Sequence, residues 1–148
     1  MAETGLAEVV AVQFEPQQSA TDAAIAWAES TDLVSAVAGW VDVMSLDVES
    51  MLAEAASSPK FKSVALPVFQ EADNHWLVTD EALRGLRAVA ARGLTLDVQV
   101  EPRHLPSIGK LAEAIPDLRI VVAHIGSPFI ARSEREPWGV YMLNVAPH

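Results

Sequence analysis

Residues 79–100 read TDEALRGLRAVAARGLTLDVQV and hold one complete passage from helix to strand. Thr79-Asp80-Glu81 offers a cap and acidic residues where helix N–H groups lack partners, so a helix is predicted over Glu81–Arg92. Gly93 follows as the residue that can turn left-handed and end it. Leu94–Val100 then alternates aliphatic and polar side chains, which predicts a strand.

The same alternation continues in both directions. Upstream, apolar runs cover Val9–Phe14, Val34–Val43 and Phe61–Phe69. Helical stretches separate them: Thr21–Ser30, with Thr21 or Asp22 as cap, and Asp47–Ala56, with Ser45 as cap and Ser57-Ser58-Pro59 as stop. Pro67 suits a strand end, because proline cannot donate to a ladder. A polar loop, Gln70–Trp76, leads into the quoted segment. Downstream come a loop at Glu101–Leu105, a helix over Pro106–Ala114 closed by Pro116, and a strand over Leu118–Ile125. A polar loop through Glu136 precedes a last helix from Pro137.

Five strand–helix units in succession imply a parallel sheet covered by helices, joined by right-handed crossovers. Near-continuous apolar strands agree, since parallel strands are buried on both faces. The chain has 148 residues, which suits a single domain. Periodicity leaves two architectures open: an open doubly wound sheet, or part of an eight-stranded barrel of about 250 residues.

Composition narrows the function classes. The net charge is −10 with only ten Lys and Arg, and none of them forms a run, so a nucleic-acid face is excluded. There is no cysteine, hence no disulfide, thiolate nucleophile or thiolate metal site. Neither a signal peptide nor an apolar run of about 18 residues is evident, so the expected location is cytoplasmic, without membrane contact. Glycine-rich phosphate loops and the GxSxG elbow are missing. No HExxH or HxH pair marks a metal site, and no metal ligand is assigned.

Among the histidines, His124 is the most informative, because it ends the run Ile120-Val121-Val122-Ala123. Ligands of parallel α/β proteins bind at the carboxyl ends of strands. An imidazole there can act as a base, or it can be hydrogen-bonded into the turn. His104 either caps the following helix or sits at a site rim. His75 reads as solvated loop and His148 as a frayed terminus. Gln13, Glu15, Asp42, Gln70, Asp97 and Gln99 stand at or near strand ends, where each could face a pocket or hold a loop. Asp97 and Gln99 share one strand face. Trp40 and Trp76 either line a pocket or pack. Glu81 and Arg84 read as a solvated helical pair.

Several stretches together resemble the amidohydrolase-related (amidohydrolase-2) group, with the flavour of its sugar-lactone hydrolase branch. They are Gly39-Trp40-Val41-Asp42, Pro67-Val68-Phe69-Gln70, Asp73-Asn74-His75-Trp76-Leu77 and Arg84-Gly85-Leu86-Arg87 through Gly93-Leu94. Pro102-Arg103-His104-Leu105-Pro106, Pro116-Asp117-Leu118-Arg119-Ile120-Val121 and His124-Ile125-Gly126 complete the set. The resemblance runs from about Val9 to Asn144. It implies an α/β fold of parallel (β/α) units forming an incomplete TIM-type barrel, corresponding to about strands two to six of eight.

The resemblance also implies a hydrolase acting on a lactone or another carbonyl bond by attack of water. His124 would be the catalytic base. Gln13, Trp40, Asp42, Gln70, Asp97 and His104 would contact a small-molecule substrate. Many relatives use a divalent metal, but the strand-one HxH pair and the strand-eight aspartate have no counterpart here. Within the matching region, Ala123 and Ser127 stand where the group usually has Asp and Lys, and Ser63-Val64-Ala65 where it has Gly-Val-Arg. The expectation is therefore a truncated chain without activity of its own. Alternatives are a non-catalytic remnant and a self-assembling α/β binding module, with homo-oligomers completing the sheet.

Overall fold

The computed structural model describes residue 5, residues 7–133 and residues 135–147. Chain order is β1 (Val9–Val12), α1 (Gln18–Glu29), β2 (Val34–Gly39), α2 (Val48–Ala55), β3 (Phe61–Leu66), α3 (Asp80–Ala91), β4 (Thr95–Gln99), α4 (Leu105–Ala114), β5 (Arg119–Ala123) and α5 (Trp138–Val145). Short 3₁₀ turns follow β3, β4 and β5. His148 lies outside the described residues.

All neighbouring strands pair in parallel, in the order β1-β2-β3-β4-β5. This order decides between the two architectures. A doubly wound sheet reverses its strand order at a switch point; here each strand is laid beside the last without reversal, as in a barrel wall. The sheet is also curled. Phe14, just past β1, and His124, just past β5, bring their ring centroids within 6.4 Å. Four flat interstrand spacings would separate the outer strands by about 19 Å. The molecule is a half-barrel.

Register assigns the two faces. Val64, Leu96 and Ile120 lie side by side, as do Leu66, Val98 and Val122. The helices cover this convex face, and Val37, Val64, Leu96 and Val98 are fully buried with Leu52, Leu86, Leu105 and Leu111. Ala65, Asp97 and Val121 form the neighbouring row on the concave face, and Val12, Ala38 and Ser63 a row on the same side.

The segment 79–100 folds as its sequence dictates. Thr79 Oγ1 accepts the Ala82 N–H, Asp80 and Glu81 occupy the first turn, and Gly93 adopts φ +66°. Gly85 is required for another reason: a Cβ there would lie 2.0 Å from Val43 O, where α3 crosses the chain leaving β2.

Elsewhere tertiary contacts override local signals. Helix α1 starts at Gln18, so Thr21 is not its cap. Thr21 is instead 0% exposed inside the helix, and its hydroxyl donates to Trp40 O at 2.8 Å. The second apolar run extends to Val43, but β2 ends at Gly39, because Asp42 Oδ1 accepts the Met44 N–H at 3.0 Å and turns the chain. Ser45 does not cap α2; its hydroxyl accepts the Asp47 N–H at 3.1 Å, and Asp47 holds the cap position. Arg84 does not pair with Glu81. It crosses to Met44 O (2.7 Å) and Ser45 O (3.3 Å), binding α3 to the loop before α2. The loop after β5 is less polar than predicted, exposing Ile125, Phe129 and Ile130.

Candidate active-site face

Of the residues singled out in the sequence, Gln13, Glu15, Trp40, Asp42, Gln70, Gln99, His104 and His124 end a strand or follow one closely, whereas Asp97 lies within β4, His75 and Trp76 in the loop before α3, and Glu81 and Arg84 on α3. Two groups form at the strand ends. The first lies beyond β2 and β3, where Trp40, Asp42, Gln70 and Trp76 line a cavity of about 250 Å³ with Pro16, Met44 and Glu71. The chain leaving β2 is held by the Thr21 hydroxyl at Trp40 O and by the turn at Asp42. That turn engages Oδ1 and aims the carboxylate, which is half-buried.

The wall beyond β3 is held from β4. The Arg103 guanidinium donates to Phe69 O (3.2 Å), Glu71 O (3.0 Å) and Asn74 Oδ1 (2.9 Å), while its Nε pairs with Glu101 at 2.8 Å. His104 completes this clamp. It is 1% exposed, its Nδ1 accepts the Glu101 N–H at 3.2 Å, and its Nε2 lies 3.3 Å from Glu71 O. An Nε2–H tautomer satisfies both contacts. Burial lowers the pKa of His104 below the ordinary histidine value, and Arg103 adds to the shift, against opposing pulls from the Glu71 carbonyl and from Glu101. His104 thus stands behind the cavity wall and not on its surface. It caps the 3₁₀ turn Pro102–His104, reciprocally with Glu101.

The second group surrounds His124. This residue is exposed at the end of β5, its ring tilted 46° to that of Phe14. The backbone here is left-handed over four successive residues: His124 (φ 50°), Ile125 (φ 49°), Gly126 (φ 73°) and Ser127 (φ 49°). For a β-branched residue such as Ile125 that conformation costs about 1–2 kcal/mol. The strain is held by Ser127 N–H to His124 O (2.9 Å) and by Trp138 Nε1–H to Ile125 O (2.7 Å). Such strain concentrates at functional sites.

The remaining residues fall between or outside these groups. Gln13 is half-buried; its amide donates to Glu15 O at 2.9 Å, and its backbone N–H to Ala38 O at 2.9 Å. Asp97 sits within β4 on the concave face, where the Ser63 hydroxyl meets its carboxylate and also reaches Thr95 O at 2.8 Å. It is not part of the cavity beyond β2 and β3. His75 is exposed, with Nδ1 3.4 Å from Ser107 Oγ.

Met44 and Glu71 were not picked out from the sequence, Thr21 was read only as a helix cap, and Arg103 only as part of a matching stretch. Each acts through a backbone group or through a residue far away in the chain, which no local pattern encodes.

Among the described residues, no group of three His, Asp or Glu side chains is placed to hold a metal ion. These residues do not by themselves form a metal cradle. Nor is any helix of the described residues long and apolar enough to cross a membrane.

Comparison with known proteins agrees with this geometry. An L-fucono-1,5-lactonase of Burkholderia ambifaria is 37% identical over 149 residues, covering 100% of this chain and 51% of that protein. An amidohydrolase of Burkholderia multivorans with bound HEPES superimposes with a TM-score of 0.88 at 23% identity, over 97% of this chain and 52% of that one. The same source gives a zinc-bound form at TM-score 0.85, again at 23% identity, over 97% of this chain and 51% of that one. A probable 2-pyrone-4,6-dicarboxylic acid hydrolase of Acinetobacter baumannii, with citric acid bound, follows at 0.74 and 16% identity, over 93% and 50%. The chain spans about half the length of the relatives it matches. The amidohydrolase family profile matches residues 1–146, which with the half-barrel and its strand-end residues places the chain in the amidohydrolase family.

Proposed function

We propose that this chain contributes one half of the active-site face of a lactone hydrolase, with His124 as the base that activates water. The observation that carries this is the position of His124. It is an exposed imidazole at the carboxyl end of β5, on a strained left-handed turn. The lactonase relative, at 37% identity across the whole chain, supports the same chemistry.

In this mechanism water adds to the lactone carbonyl carbon while the His124 ring nitrogen takes one of its protons. The tetrahedral intermediate breaks the bond between the carbonyl carbon and the ring oxygen. The imidazolium returns the proton to the departing oxygen, giving the open hydroxy acid. The substrate is then a small molecule held by the groups beyond β2 and β3.

The test is lactone hydrolysis by the intact protein, followed by acid release against spontaneous ring opening. His124→Ala is expected to lower kcat by about 100-fold or more, the usual contribution of a positioned base. An unaffected variant would sink the role of His124, and a wild-type rate equal to background would favour the non-catalytic remnant.

A second reading has its own support. Val10 (58% exposed), Val12 (50%) and Val121 (47%) put an apolar surface on the concave side of the outer strands. We infer that a partner sheet covers this side, a second copy being the simplest source. Sedimentation at graded concentrations tests it: a monomer throughout excludes self-assembly.

A further inference from the structure

The end of the half-barrel opposite His124 carries a group of charges that the lactone chemistry does not use. A cavity of about 470 Å³ opens at the amino ends of β3, β4 and β5, separated from His124 by the length of β5, about 16 Å. Lys62, Arg92 and Arg119 all line it, three of the ten lysines and arginines in a chain of net charge −10. No Asp or Glu lines it. Glu29, which accepts the Ser58 hydroxyl at 2.7 Å, lines a separate cleft with Asp22 and Glu54. Among the described residues the one ion pair joins Arg103 to Glu101, so none of the three cations has a carboxylate partner.

Two of the three are held in place. Arg92 Nη2 donates to Glu49 O at 2.8 Å, and Arg119 Nη2 donates to Gly93 O. Each guanidinium keeps its other N–H groups for a ligand. Lys60 spends its ammonium on Ala28 O (2.6 Å) and Thr31 O (2.8 Å), whereas Lys62 has no such anchor among the described residues. Helices α2 and α3 end at this cavity, at Ala56 and Arg92. Each helix end carries about half a negative charge, so together they offset about one of the three positive charges. The chain's remote acids are screened beyond about 8 Å at physiological salt, and the local positive excess decides what enters. Buried Phe61 and Leu94 supply an apolar wall, against which that excess is focused.

We propose that this cavity binds a small polyanion carrying two or more phosphate or carboxylate groups. The planar fork of arginine pairs bidentately with either group. Lys62 and Arg119 start from β3 and β5, which flank β4, so their backbones stand about 10 Å apart. A ligand with anionic groups set apart along a short backbone spans that distance better than one isolated phosphate. The volume lies within the roughly 300–1,000 Å³ of small-molecule sites. Binding relieves the mutual repulsion of the three cations and stabilises the folded chain by mass action. The site shares no residue with the cavity beyond β2 and β3, and it does not depend on the lactonase reading.

The test is titration of the intact protein with pyrophosphate and with tricarballylate at about 0.15 M salt, read as heat of binding and as a rise in the unfolding midpoint. Saturable binding of one ligand per chain is expected, about 10-fold or more tighter than that of inorganic phosphate, because a second charged group is engaged. The tighter of the two probes tells whether the ligand is phosphorylated or carboxylated. Lys62→Gln and Arg119→Gln should each weaken binding by about 10-fold or more, the worth of one charged hydrogen bond. Lys110→Gln removes the same charge from the exposed side of α4, outside the cavity, and should leave binding within about twofold.

Lys62 anchors no backbone group, so its variant keeps the test decisive even if Arg119→Gln fails to fold. Absence of saturable binding would overturn the site. So would an affinity no better than that for inorganic phosphate, or equal losses in Lys62→Gln and Lys110→Gln.

Discussion

The central strands β2–β4 and the outer strands β1 and β5 are written in the same aliphatic alphabet, yet they meet opposite environments. Val37, Val64 and Leu96 are fully buried, whereas Val10, Val12 and Val121 are about half exposed. The difference is lateral. A central strand is covered by helices on one face and flanked on both sides, and the curl brings its concave side chains together. An outer strand has one neighbour, and its concave side opens outward. Stability is thus concentrated in the middle of the half-barrel. The outer strands carry apolar surface suited to a partner, and His124 stands at the end of one of them.

Substitutions can break or sharpen this contrast. The largest effect is expected in the centre: Leu96→Ala leaves a cavity between Val64 and Ile120 and should cost about 4 kcal/mol in denaturant unfolding. A loss under 1 kcal/mol would mean the centre is not tightly packed. Next comes Gly85→Ala. Helix propensity favours it by about 1 kcal/mol, but its Cβ would lie 2.0 Å from Val43 O, so a net loss of about 3 kcal/mol is expected. A stabilised variant would show that α3 can move away from β2 freely.

A third test uses pH. Burial lowers the pKa of His104 in the folded state, so between that value and the unfolded value of about 6.5 the unfolded chain binds more protons. Stability is therefore complete above pH about 6.5 and falls as the pH drops toward the folded pKa. His104→Gln should flatten this part of the profile of unfolding midpoint against pH. An unchanged slope would assign it to other groups. Gly93→Ala, which puts a Cβ on a left-handed residue (φ +66°), should cost about 1 kcal/mol. Smallest is Val12→Thr on the outer strand, expected within about 0.5 kcal/mol of wild type. A loss near that of Leu96→Ala would show that β1 is covered in solution, which would favour assembly.

How far the sequence could be followed varies with the range of the interaction. The five strands and five helices fall where periodicity put them, since strand alternation, the Thr79 cap and the Gly93 stop act within a few residues. Boundaries failed where a distant group intervened: Thr21 looked like a cap until Trp40 O claimed its hydroxyl, and the run to Val43 was cut by the turn at Asp42. At the site, Trp40, Asp42 and Gln70 were legible as strand-end residues, but not their meeting in one cavity. His104 was readable as a helix cap or as a rim residue, the cap being favoured, and burial behind the wall separates the two roles.

By itself, then, the sequence determined the order of elements, the parallel sheet and the strand ends where chemistry could gather, because these follow from short-range pattern and from charge. Whether the sheet is flat or curled is not encoded in any window, and residue patterning fits both. The tertiary structure decided it through unreversed strand order and the approach of Phe14 to His124. Curvature arises from packing between all five units at once, and that packing also decides which polar side chains face a ligand and which lock a loop.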